Sequence, residues 1–197
     1  MCQWALSGSM HKHTLSSLRH VFNSAGMVKM EPASNIVVDY LDWRQRDNLV
    51  KAAEHIDGPG WSWRGGGGRR SGTLMGGCVE TMLGLMASRS NLPDLQDKVL
   101  FLETSEEMPS EHAVYGLLQA MGVTGDLQKV SCLIMGIPKT AFLGQRAPDD
   151  YASKQQGAVM RAVHEFAPRA RCGLRPQHWP HRSPDHRAHR LPVHRGL

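Results

Sequence analysis

From Thr73 onward the chain alternates short continuous apolar runs with stretches whose apolar residues recur every three or four positions, and this alternation confines it to one fold class. Residues 73–75 read as a short strand entering Gly76-Gly77, and residues 78–86 as a helix with Val79, Met82, Leu83 and Met86 on one face. Pro93 and Asp94 break the chain. Lys98-Val99-Leu100-Phe101-Leu102-Glu103 is then an apolar run of strand length that ends in a carboxylate. Ser110 is placed to cap a helix carrying Ala113, Val114, Leu117, Leu118 and Met121, with Gly122 as its stop. Residues 130–137 form a second buried strand closed by Pro138, and residues 150–166 a helix with Val159, Ala162, Val163 and Phe166 at i, i+3, i+4 and i+7. Apolar strands alternating with amphipathic helices mean an α/β fold, with the strands covered on both faces.

The flanks do not share this grammar. Residues 14–22 suit a short helix and residues 36–43 a strand or turn, but nothing before residue 57 sustains a period. Gly58-Pro59-Gly60-Trp61-Ser62-Trp63-Arg64, four further glycines and Arg69-Arg70-Ser71-Gly72 read as loop, because glycine carries the highest backbone entropy cost. After Phe166 the chain shows neither helical nor strand period. Residues 169–197 hold seven Arg, no Lys, one acid (Asp185) and five of the eleven His, with four prolines from Pro176 to Pro192, the composition of a disordered tail.

That tail explains the formal charge of +5, since it carries +6 and the preceding 168 residues balance at −1. The body therefore lacks the broad basic surface of a nucleic-acid-binding protein. No apolar run approaches the roughly 20 residues that span a bilayer. Residues 1–20 have no uninterrupted apolar stretch of a secretory signal, and the expectation is a cytoplasmic protein without a membrane partner. Cys2, Cys78, Cys132 and Cys172 lie far apart with no Cys-x-x-Cys, which argues against a disulfide framework or a thiolate zinc site. His178-x-x-His181 and His186-x-x-His189 have a ligand-like spacing, but the prolines forbid the helix that would align them. No metal and no cofactor is expected.

Two features invite chemistry. The glycine run lacks Gly-x-x-x-x-Gly-Lys-Ser/Thr and follows no strand, so it reads as a surface loop and not a phosphate cradle. Glu103 closes a buried strand, and a carboxylate so placed can orient a catalytic histidine. The plainer reading is a solvated strand terminator.

From Gly58 onward the chain resembles the LD-carboxypeptidase family of serine peptidases, which includes muramoyltetrapeptide carboxypeptidases and microcin C self-immunity peptidases. The resemblance rests on Gly60-Trp61-Ser62-Trp63, on Gly72-Thr73-Leu74-Met75-Gly76-Gly77-Cys78, on Pro93-Asp94-Leu95-Gln96-Asp97 running into the strand that ends at Glu103, and on Leu133-Ile134-Met135-Gly136. Residues 15–22 and Tyr40-Leu41-Asp42-Trp43 resemble the immunity-peptidase branch. The resemblance implies a C-terminal LD-carboxypeptidase-like domain over residues 58–168, preceded by a remnant of an N-terminal α/β domain and linker over residues 1–57 and followed by the basic tail, residues 169–197. It places the family Glu on Glu103. It also implies a nucleophilic serine on the N-terminal domain and a histidine after the last helix. None of Ser7, Ser9, Ser16 and Ser17 has the strand-to-helix setting of a nucleophile elbow.

The family histidine lies in a segment resembling Gly-His-Thr-Asp-Pro-Gln followed by an apolar strand, and no such segment exists in frame. Sliding the codons for residues 179–191 forward by one base permits Gly-His-Thr-Asp-Pro-Gln-Ile-Ile-Val-Pro-Ile-Gly, so the tail reads as a shifted-frame translation of that strand. The implied activity is hydrolysis of a peptide or amide bond in a murein peptide or a peptidyl-nucleotide, with Trp61 and Trp63 placed to stack on a flat substrate group or simply to pack the loop. With one of three catalytic members present, the chain is expected to be inactive alone and prone to homodimerise through an unpaired strand edge. The alternative is a non-catalytic protein whose basic tail binds an anionic partner, which a steep salt dependence would reveal.

Overall fold

Among the described residues, those ahead of the glycine-rich segment bury almost nothing. The computed structural model describes residues 11–37, 42, 44–50, 54–65, 67–88 and 93–174. Lys12–Asn23 is helix α1, none of whose residues is buried. Asn35–Ile36 (β1) and Ile56–Asp57 (β2) form a two-residue antiparallel ladder around a 3-10 turn at Arg46–Leu49. Then follow β3 (Ser62–Gly65), β4 (Leu74–Cys78), α2 (Val79–Ala87), β5 (Val99–Glu103), α3 (Glu111–Val123), α4 (Asp126–Lys129) and β6 (Cys132–Met135). The small hairpin β7 (Ala141–Phe142) and β8 (Gln145–Arg146) leads to α5 (Tyr151–Phe166) and β9 (Arg171–Leu174).

The main sheet has the order β3-β9-β6-β5-β4, with β4, β5, β6 and β9 parallel and β3 antiparallel at one edge. Each crossover from β4 through β9 steps the same way across the sheet, and right-handed connections then place α2, α3 and α5 on one face. Burial along β5 follows: Leu100 and Leu102 are fully buried, Val99 and Phe101 are half-buried, and Glu103 is exposed. The core is one cluster under the helices, joining Leu100, Leu102, Leu133 and Cys172 to Val79, Val114, Leu117, Met121 and Val159. The expectation of strands covered on both faces is thus corrected. A sheet wound in one direction carries its helices on one side, and on the other Leu74 stays 62% exposed.

Two further readings change. The segment read wholly as loop contains β3, because its backbone pairs with β9 in the register Ser62↔Leu174 to Gly65↔Arg171, a partner no local pattern reveals. The tail, read as starting at residue 169 without strand period, is corrected in its first residues: Arg171–Leu174 is an inner strand between β3 and β6. Ala170 and Cys172–Leu174 are buried and Arg171 is half-buried, so a short run of inner-strand burial stands among the arginines. The rest of the tail, including His178, His181, His186 and His189, lies outside the described residues.

Gly122 does not stop α3. Helices α3 and α5 meet so closely there that a Cβ at 122 would fall 2.3 Å from Phe166 Cγ, and the chain turns instead at Gly125, whose φ is +83°.

Candidate active site

In an open parallel sheet the strand C-termini form one edge, and side chains on the uncovered face there are free to meet a ligand. Glu103 occupies that position. It pairs in register with Cys78 at the end of β4, and Gly136 follows the end of β6 on its other side. The Gly136 N–H donates to the Leu102 carbonyl at 2.8 Å, and a Cβ on Gly136 would lie 3.6 Å from Glu103 Cβ. The Glu103 carboxylate has no hydrogen-bond or ion-pair partner among the described residues.

Gly136 is also part of the wall of a cleft of about 380 Å³ on this face. Trp61, Trp63, Ile134, Pro59 and Ile36 form much of the rest, so the cleft is apolar. Trp63 is held there by β3–β9 pairing, which sets it opposite Gly173, where a Cβ would come 2.9 Å from the indole. The Arg171 guanidinium sits 5.0 Å from the Trp63 ring centroid on the same strand pair. Trp61 and Trp63 remain 53% and 43% exposed, so both rings are available to a ligand. The structure thus brings Trp61 and Trp63 into one cleft and sets Glu103 beside its Gly136 wall. Ser16 and Ser17 are on α1, while Ser7, Ser9, Tyr40, Leu41 and Trp43 lie outside the described residues.

The sequence reading missed a polar bracket joining the two flanks of Glu103. Glu80, in the first turn of α2, accepts hydrogen bonds from the Cys78 thiol (3.0 Å), the Ser105 N–H (3.2 Å) and the Ser105 hydroxyl (2.5 Å). Burial alone would raise the Glu80 carboxyl, but the Ser105 hydroxyl, the Cys78 thiol and backbone N–H donors more than offset it and hold the group below the usual carboxylate range. An acid in the first turn of an otherwise apolar helix was its one local signal. Further along the loop, the Pro109 carbonyl accepts from the Tyr151 hydroxyl (3.0 Å) and from Gln155 Nε2 (2.6 Å). Among the described residues no three His, Cys, Asp or Glu side chains come together as a metal site, and no helix is long and apolar enough to cross a membrane.

Comparison with known proteins agrees with this architecture. Residues 71–171, just over half the chain, match the LD-carboxypeptidase C-terminal domain family. The fold is similar to the MccF-like protein from Streptococcus pneumoniae solved in complex with AMP, with a TM-score of 0.66 and 18% identity over 85% of this chain and 50% of that one. It is similar also to the MccF-like protein from Bacillus anthracis, with a TM-score of 0.60 and 17% identity over 82% of this chain and 45% of that one. The microcin C7 self-immunity protein MccF in its wild-type apo state gives 0.55 and 14% identity over 81% and 44%. The chain therefore spans about half the length of these solved relatives, and at such identities they speak for the fold alone. No curated protein sequence matches it. With its C-terminal-domain signature covering most of the main sheet and a shared fold around it, the chain belongs to the LD-carboxypeptidase family.

Proposed function

We propose that this chain is the glutamate-bearing part of a serine-type carboxypeptidase, acting on a peptide or amide bond in murein peptides or peptidyl-nucleotides, and that it has no turnover on its own. The observation that carries the reading is Glu103 itself, an exposed carboxylate at the C-terminal edge of an inner strand, without a partner among the described residues and beside an apolar cleft. In the proposed reaction a serine hydroxyl supplied from outside the described residues attacks the carbonyl. An imidazole takes the serine proton, and Glu103 accepts the other imidazole N–H, fixing the tautomer and stabilising the imidazolium. The pair Trp61 and Trp63 favours the peptidyl-nucleotide branch, since two exposed indoles on one apolar cleft suit a flat base, and the S. pneumoniae relative was solved with AMP.

The test has two arms. The purified chain is incubated with an L,D-tetrapeptide and with a peptidyl-nucleotide; release of D-alanine or nucleotide that Glu103→Gln abolishes would overturn the claim of inactivity. A second version, with the tail replaced by its shifted-frame translation, is then combined with the N-terminal domain of a relative. Hydrolysis is expected there and should fall by about four orders of magnitude in Glu103→Gln, as when the acidic member of a comparable triad is removed. Full activity of that variant would remove Glu103 from the mechanism. We also propose a homodimer through the free edge of β4, where Leu74 is exposed; light scattering at rising concentration tests it, with Leu74→Lys expected to hold the chain monomeric.

A further inference from the structure

We propose that Glu80 is a positioning residue for Glu103, acting through Ser105 and Cys78; the inference rests on the reading of Glu103 as the carboxylate that orients the imidazole. Among the described residues nothing bonds the Glu103 carboxylate, so its direction is set by the backbone on either side. The donors to Glu80 come from those two sides. Cys78 is the residue opposite Glu103 across the β4–β5 ladder, and Ser105 lies two residues beyond Glu103 in its own chain. One carboxylate therefore ties together the flanks of the position that must be kept still.

The remainder of the loop is fixed with the same economy of atoms. The Ser105 hydroxyl, while donating to Glu80, accepts the Glu107 N–H at 3.1 Å. Met108 takes a φ of +51°, a left-handed conformation rare for a non-glycine residue. Directly after it, the Pro109 carbonyl is gripped by Tyr151 and by Gln155, which is 1% exposed. Burial pushes the Tyr151 phenol up. A loop needed only as a connection would be solvated; this one is fastened at 105 and 109 with one residue in strained backbone, the pattern of a segment whose geometry is used.

The test reads Glu103 directly and needs no turnover. In the full 197-residue chain labelled with ¹³C and ¹⁵N, three-bond couplings give the χ1 populations of Glu103, and the Ser105 amide reports Glu80. In wild type one Glu103 rotamer should dominate, and the Ser105 amide shift should titrate with Glu80. In Glu80→Gln and in Ser105→Ala the couplings should move toward rotamer averaging. Ser105 amide exchange should also rise at least about tenfold in Glu80→Gln, where a charged acceptor becomes neutral. The methyl shifts of Leu100 and Leu102 certify that each variant is folded. A role confined to stability would lower the urea midpoint while leaving Glu103 couplings unchanged in both folded variants, and that result would overturn the proposal. Failure of Glu103→Gln to affect the reconstituted enzyme is a separate outcome: it removes the catalytic role of Glu103, on which the functional meaning of Glu80 depends, even with the couplings moved as expected.

Discussion

Replacing Gly76 by alanine should break the β4–β5 ladder, and the coordinates give the size of the effect. Gly76 has a φ of +143°, and a Cβ there would lie 1.8 Å from the Phe101 carbonyl oxygen and 2.9 Å from its nitrogen. An ordinary C···O approach is about 3.3 Å, so β4 must retreat by roughly 1.5 Å at this point. That takes a backbone hydrogen bond of about 2.9 Å beyond bonding range. Two ladder bonds lost, at about 1–2 kcal/mol each with their groups left imperfectly solvated, add to roughly 1–2 kcal/mol for an L-residue at positive φ. The total is about 3–6 kcal/mol, against a typical domain stability of about 5–15 kcal/mol. The neighbouring glycine supplies the control, because a Cβ on Gly77 meets nothing within 4 Å. Urea unfolding followed by far-UV circular dichroism should show Gly76→Ala losing most of the transition and Gly77→Ala within about 1 kcal/mol of wild type. Equal midpoints for the two variants would refute the argument, since it rests entirely on the Phe101 carbonyl standing where the new methyl must go.

Gly173→Ala meets only the outer edge of the Trp63 indole, at 2.9–3.3 Å, so it should cost no more than about 1–2 kcal/mol while shifting Trp63 emission, a shift expected to vanish in a Trp63→Phe background. Burial pushes the Cys172 thiol up to about 12 and raises that of Cys132 against the pull of Arg171 and Arg70; in a Cys2→Ser variant at pH 8, a thiol reagent should label half-exposed Cys78 alone until urea is added. Glu80 is held below its unfolded pKa, so its contribution to stability is present above an unfolded value of about 4.3 and is lost as pH falls through the folded value. Urea midpoints at pH 6 and below pH 4 should therefore differ less in Glu80→Gln than in wild type.

What could be read from the sequence was whatever a local pattern encodes. The run from Lys98 to Glu103 became β5 and the periodic stretch before Phe166 became α5, because each element's burial repeats within its own few residues. β3 and β9 were missed because each exists through the other: Trp63 pairs with Gly173 across 110 positions. The turn between β7 and β8, with Leu143 at φ +47° and Gly144 at φ +83°, has no flanking strands long enough to show a period. Of the candidate site, Glu103 and the two tryptophans were singled out from family-like motifs. Glu80 was not, since its partner Ser105 is 25 residues away and neither residue stands in a recognisable motif.

The small residues around Glu103 favour its proposed use over the plainer reading as a strand terminator. A solvated terminator needs no particular neighbours, and bulky side chains beside it would cover the sheet edge and add burial. Here the adjacent strands present a cysteine at 78 and a glycine at 136. The cysteine is turned to Glu80, and the glycine leaves open the path between Glu103 and the tryptophan cleft. Meanwhile the next ladder positions down on the same face, Phe101 and Ile134, are large and half-buried. On β5 and β6, size thus falls away toward the C-terminal edge of this face. That step down forgoes apolar burial at the edge, and what it leaves accessible is the Glu103 carboxylate, with Cys78 and Ser105 on its two sides bonded to Glu80.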